Sequence, residues 1–84
     1  MAYTINIKPS AQKDLDALPD KEAFKILSRI AQLESDPRPI GIQKLHHKEG
    51  YRIRSGNYRI LYEIDDKKES ILIYRIKHRK EVYR

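Results

Sequence analysis

The chain predicts an α+β domain: a small, antiparallel-rich sheet of about four strands with an N-terminal helical hairpin packed on one of its faces. Residues 51–64 hold two runs of period-2 alternation around Ser55-Gly56-Asn57, the pattern of a β-hairpin. Residues 20–33 place apolar side chains at spacings of three and four, which is a helical stripe. The two periods occupy separate stretches, in the order β-α-α-β-β-β, so helices and strands segregate instead of alternating. With 84 residues the expectation is one domain, 1–84, with a modest core.

Tyr3, Ile5 and Ile7 alternate with Thr4 and Asn6 to give the opening strand. Pro9 suits the first turn of a helix, where its missing N–H would have had no partner. Ser10 to Leu18 follow as a short helix with Ala11, Leu15 and Leu18 on one side. Pro19 closes it, and Asp20 is placed to cap a longer helix whose stripe is Ala23, Ile26, Leu27, Ile30, Ala31 and Leu33. Asp36-Pro37-Arg38-Pro39 stops that helix, because a residue before proline is driven out of the α region. Ile40 to Lys48 read as a connecting segment, pivoting at Gly41 and pinned by Leu45, that delivers Lys44, His46 and His47 ahead of the hairpin. After the polar turn 65–69, Ser70 to Ile76 is the most continuously apolar run. It predicts a strand buried on both faces near the middle of the sheet.

Composition removes several classes of function. Without cysteine there are no disulfides and no thiolate zinc sites. No apolar run approaches the roughly 20 residues that span a bilayer. The start, Met1 to Asn6, lacks the basic end and long apolar centre of a secretory signal, so the expected location is the cytoplasm. The net charge of +6 is unevenly placed: residues 1–42 carry six Lys/Arg and six Asp/Glu, and residues 43–84 carry twelve and six. A basic half joined to a neutral half fits an anionic partner, most simply nucleic acid, with solubility as the plain alternative.

Alternation in the hairpin sorts its side chains. Tyr51 and Ile53 share one face with Tyr58, Ile60, Tyr62 and Ile64, so Arg52, Arg54 and Arg59 converge on the other. There is no glycine-rich phosphate loop, no HExxH helix and no Ser/His/Asp arrangement, and three histidines without an acidic cluster make a poor metal site. What remains suits phosphodiester chemistry with no metal and no cofactor. Cleaving RNA through its own 2′-hydroxyl needs in-line positioning, neutralised charge in the transition state and a proton for the leaving oxygen. Arginine meets the second need and, always protonated, is a poor base. A base must then be His, Lys or Tyr, and spacing does not choose among them.

The residues also carry a resemblance. Ser10-Ala11-x-x-Asp14-Leu15-x-x-Leu18-Pro19, Asp36-Pro37-Arg38-Pro39, Lys44-Leu45, Gly50 to Tyr62 and His78-Arg79-Lys80-Glu81-Val82-Tyr83, in this order, resemble the RelE family within the RelE/ParE toxin superfamily. The resemblance implies a RelE-like fold and a toxin of a type II toxin–antitoxin system. Its activity would be ribosome-dependent, metal-independent mRNA cleavage in the A site, and its partners the ribosome and a cognate antitoxin, acidic and partly disordered when free. It implies that Arg59 holds the scissile phosphate, Arg79 stabilises the transition state and Tyr83 orients or activates the attacking hydroxyl. Arg52 and Arg54 stand where members of the family carry a Lys-x-Lys pair, which leaves the base to Tyr83, to His46, His47 or His78, or to an rRNA group. Lys44, His46 and His78 are further RNA-contact candidates. The chain stops one residue after Tyr83, without the terminal helix that some members carry. A gyrase-poisoning toxin of the ParE type, or an inactive antitoxin-binding module, are the alternatives.

Overall fold

The computed structural model describes residues 2–45 and 50–82. In chain order the elements are β1 (Thr4–Ile7), α1 (Pro9–Asp16), α2 (Asp20–Gln32), β2 (Gln43–Lys44), β3 (Gly50–Ser55), β4 (Tyr58–Asp65), β5 (Ser70–His78) and α3 (Arg79–Val82). The strands form one sheet in the order β1-β5-β4-β3-β2, so five strands replace the expected four. The extra one, β2, is a two-residue edge strand inside the segment read as a connector. Its Gln43 and Lys44 pair with Arg52 and Tyr51. The sheet is mixed: β1 runs parallel to β5, and every other pairing is antiparallel.

The central hairpin forms as its alternation requires. Between Ser55 and Tyr58 the loop is two residues long, with Gly56 at φ +59 in first place. A positive φ at the first loop position alone is the type II′ pattern, whose twist matches that of the flanking strands. Its inner face carries Ile53, Ile60 and Tyr62, which meet Ile71, Ile73 and Ile76 of β5. Ala11 and Leu15 of α1 and Ile26, Ile30 and Leu33 of α2 and its cap close the core from the same side. Both helices therefore lie on one face, and the opposite face is left uncovered.

Period-2 reading fails in β5 for an identifiable reason. The register against β4 shifts between Leu61/Tyr62, so that Leu61 faces Arg75 and Tyr62 faces Ile73, with Tyr74 bulged between them. The bulge resets the alternation: Ile71 and Ile73 point inward before it, Ile76 points inward after it, and Lys77 is carried to the open face. The run looks continuously apolar because Leu72 and Tyr74, on the open side, alternate with the inward Ile71 and Ile73. It is an interior strand buried on one face, with Leu72 and Tyr74 half-exposed on the other.

Other corrections are local. Pro19, not Asp20, is the N-cap of α2, and Asp20 occupies the first turn, where its charge favours the helix dipole. Leu27 is 45% exposed and Ala31 is also exposed, so the buried stripe is narrower than the apolar spacing implied. The tail turns helical over Arg79–Val82.

Where β1 ends at Ile7, the rest of β5 would present an unpaired edge, and α1 seals it. Ser10 Oγ donates to Tyr74 O at 2.8 Å, and Asp14 Oδ2 accepts the Ile76 N–H at 2.8 Å and Arg75 Nε at 2.9 Å. This explains why Ser10 and Asp14 recur at helical spacing in the opening motif. At the other end of the sheet, Arg38 pairs with Asp66 through two hydrogen bonds of 2.9 and 3.2 Å. Tyr3 donates to the same carboxylate, Arg38 lies over the Tyr51 ring, and buried Tyr62 donates to Pro37 O. Arg38 and Tyr3 together hold the Asp66 carboxyl below the usual range. Burial pushes the Tyr62 phenol above its usual range.

Candidate nucleic-acid interface

The cationic residues meet on the uncovered face because of register. Arg54 is paired with Arg59, and Arg59 with Lys77, so three cations from β3, β4 and β5 stand in one row. Directly opposed residues have Cα atoms about 5 Å apart. In the next row Gln43, Arg52, Leu61 and Arg75 follow one another. Gly41, Gln43, Arg52, Arg54 and Arg59 line a hollow of about 370 Å³. A larger hollow, about 800 Å³, is lined by Glu63, Asp65 and Asp66 among other residues, and its mixed charge does not suit an anion.

Arg59 is the centre of this arrangement and is only 9% exposed. Its one side-chain hydrogen bond among the described residues is long, 3.5 Å from Nη1 to Tyr58 O. The ion pairs among the described residues are Arg38–Asp66 and Arg75–Asp14, so neither Arg54 nor Arg59 has a carboxylate partner there. Like charges directly opposed across a sheet destabilise it, and a buried cation without a counter-ion costs more. Arg52 Nε donates to Gln43 Oε1 at 2.7 Å and Arg54 Nε to Gly56 O at 3.1 Å. A guanidinium oriented by a carbonyl oxygen, as Arg54 is, keeps its charge available to an incoming phosphate.

Arg79 is exposed at the start of α3, and its N–H donates to Asn57 O at 2.7 Å, which anchors it beside the hairpin turn. His78 is on the other side of the strand from Lys77: it pairs with Tyr58, their rings meeting edge to face at 5.3 Å. Lys44 pairs with Tyr51, so alternation directs it away from Arg52, although it borders an adjoining hollow with Gln43, Leu45 and Arg52. Tyr83, His46 and His47 lie outside the described residues. Lys77 and Gln43 were not legible as site residues, since Lys77 reaches this face through the bulge and Gln43 through a two-residue strand. Among the described residues no three His, Cys, Asp or Glu side chains stand close enough to share a metal ion.

An α+β fold with an N-terminal helical hairpin on one face of the sheet and a cationic row on the other defines a class of protein known from its relatives. Residues 5–83 match the family described as the ParE toxin of type II toxin–antitoxin system, parDE, and the chain belongs to that family. The relatives narrow this to a RelE-family toxin. The chain is 31% identical over 86 residues to Toxin RelG of Mycobacterium tuberculosis, covering 100% of this chain and 99% of the relative. The RelBE2 toxin–antitoxin complex from the same organism matches with a TM-score of 0.84 at 27% identity, over 93% of this chain and 99% of that one. The archaeal RelE–RelB complex from Pyrococcus horikoshii also matches at 0.84, with 30% identity over 94% and 97%.

Proposed function

We propose that this toxin is a ribosome-dependent endoribonuclease that cuts mRNA in the ribosomal A site without a metal. The observation that carries the reading is Arg59: nearly buried, flanked in register by Arg54 and Lys77, and paired with no carboxylate among the described residues. A fold gains nothing from a guanidinium there, whereas a phosphodiester supplies the missing negative charge. In this reading Arg59 grips the scissile phosphate, and Arg52 and Arg54 hold it and its neighbour. Arg79 neutralises the charge that builds on the non-bridging oxygens. The 2′-oxygen attacks phosphorus, the P–O5′ bond breaks, the 2′-hydroxyl proton passes to a base and the departing 5′-oxygen takes up a proton. Tyr83 orients or activates the attacking hydroxyl, and Lys77, unlike the arginines, is a side chain able to exchange a proton beside Arg59.

The site acts on translating ribosomes in the cytoplasm and is held in check by a cognate acidic antitoxin, by analogy with the solved toxin–antitoxin complexes. Primer extension on translated and untranslated mRNA tests the reading. Cuts are expected only on translated message, and both Arg59→Ala and Arg79→Ala abolish them. Cuts on naked RNA, or full activity in both variants, would sink it. The matched family is named for ParE toxins, and gyrase poisoning of the ParE type is the second reading, so a supercoiling assay is run in parallel. Inhibition there without mRNA cleavage selects that reading.

A further inference from the structure

We propose that His78 is a positioning residue: its unprotonated Nδ1 caps α3 and thereby fixes the backbone that carries Arg79 beside the hairpin turn. The inference rests on the reading above, in which Arg79 acts on the transferring phosphate. Its geometry is independent of that reading.

His78 is the last residue of β5, and α3 begins at the next residue with no spacer. The first N–H groups of a helix have no partner within it and need acceptors from outside. Here they find two. The Arg79 N–H donates to Asn57 O at 2.7 Å, and the Lys80 N–H donates to His78 Nδ1 at 3.3 Å. An acceptor on the residue before the helix, reaching the N–H two positions on, is what Asn, Asp or Ser supplies as an N-cap. Imidazole does the same only when Nδ1 carries no proton, which places the proton of the neutral ring on Nε2.

The ring cannot turn away freely, because it stands edge-on to Tyr58 with centroids 5.3 Å apart and planes at 86°. Tyr58 immediately precedes Arg59, so cap and phosphate grip share one stretch of β4. Two contacts thus fix the backbone that carries Arg79: the hairpin turn through Asn57, and the end of the sheet through His78. Arg79 itself is exposed, so its placement depends on that backbone more than on packing of its side chain.

Three substitutions separate the two halves of the proposal. His78→Phe keeps a ring against Tyr58 and loses the acceptor; His78→Asn keeps an acceptor and loses the ring; His78→Ala loses both. In ribosome-programmed cleavage, His78→Ala and His78→Phe are expected to lose about tenfold to a hundredfold in kcat with KM unchanged, the cost of a misplaced group of about 1 Å. His78→Asn is expected to recover most of that loss. In the wild-type protein, ¹⁵N NMR of the ring should show the neutral tautomer protonated at Nε2. A tautomer protonated at Nδ1 overturns the cap without any variant having to fold. A fully active His78→Phe, or a loss confined to KM, overturns the positioning role. If Arg59→Ala and Arg79→Ala still cleave, the site reading falls, while the tautomer still decides whether His78 caps α3.

Discussion

Arg59 is placed where a neutral side chain would serve the fold better. It is almost out of solvent, opposite Arg54 on one side and Lys77 on the other. Replacing it by leucine removes the repulsion and leaves a methylene-rich body in the same row. Arg59→Leu is therefore expected to leave the melting temperature unchanged or raise stability by up to about 1 kcal/mol, as measured in chemical denaturation. Cleavage should fall by at least about a hundredfold in the same protein. Asp14 has the opposite profile. Its carboxylate accepts both a backbone N–H and a guanidinium at the sealed edge of β5. Asp14→Ala strands the Ile76 N–H and is expected to cost about 1–3 kcal/mol in denaturant melts. Its effect on cleavage should be no larger than the loss of folded protein.

At the scale of elements, the β3–β4 hairpin is the framework that other parts are hung from. Gly56 adopts φ +59 with no atom crowding a Cβ position, so the penalty for a side chain there is backbone strain alone. Gly56→Ala is expected to lower stability by roughly 1–2 kcal/mol, and amide shifts of Asn57 and Arg79 should move with it because their bond crosses the turn. The hairpin, both helices and the three hairpin arginines could be read from the chain because each depends on short-range periodicity and a glycine at the turn. Gly41, at φ +94, was likewise legible as a pivot. What escaped depends on pairing between distant segments. The two-residue β2 is too short to show a period, and the role of Asp14 is set by a strand about sixty residues away. Leu27 was misassigned because apolar spacing marks a stripe without saying how much of it the sheet can cover.

The whole molecule divides its charge by face as well as by sequence. The balanced N-terminal half supplies the helices that close the core, and the basic half supplies the strands of the open face. The two halves are clasped by Arg38 and Asp66, with Tyr3 joining from β1's approach. The Asp66 carboxyl is lowered in the folded protein first by Arg38 and then by Tyr3, so its contribution is present above the ordinary value of 3.8. It is lost as pH falls through the lower folded value. In thermal melts the gap between wild type and Asp66→Asn should be constant above about pH 5 and close as the pH drops below 3.8. No helix of the described residues is long and apolar enough to cross a membrane.

The irregularity at Tyr74 works like a reading-frame marker for the second half of β5. Tyr74 is the surplus residue of its strand: Ile73 already faces Tyr62 and Arg75 already faces Leu61, so excising it would join the two stretches in one phase, with Ile76 still turned inward and Lys77 still on the open face. Adding a residue after Ile76 does the opposite: Lys77 would be driven toward the core, and the segment leading to Arg79 would leave the sheet on the wrong side. A one-residue insertion between Ile76 and Lys77 is therefore expected to inactivate the toxin more thoroughly than deletion of Tyr74, with circular dichroism and cleavage measured side by side.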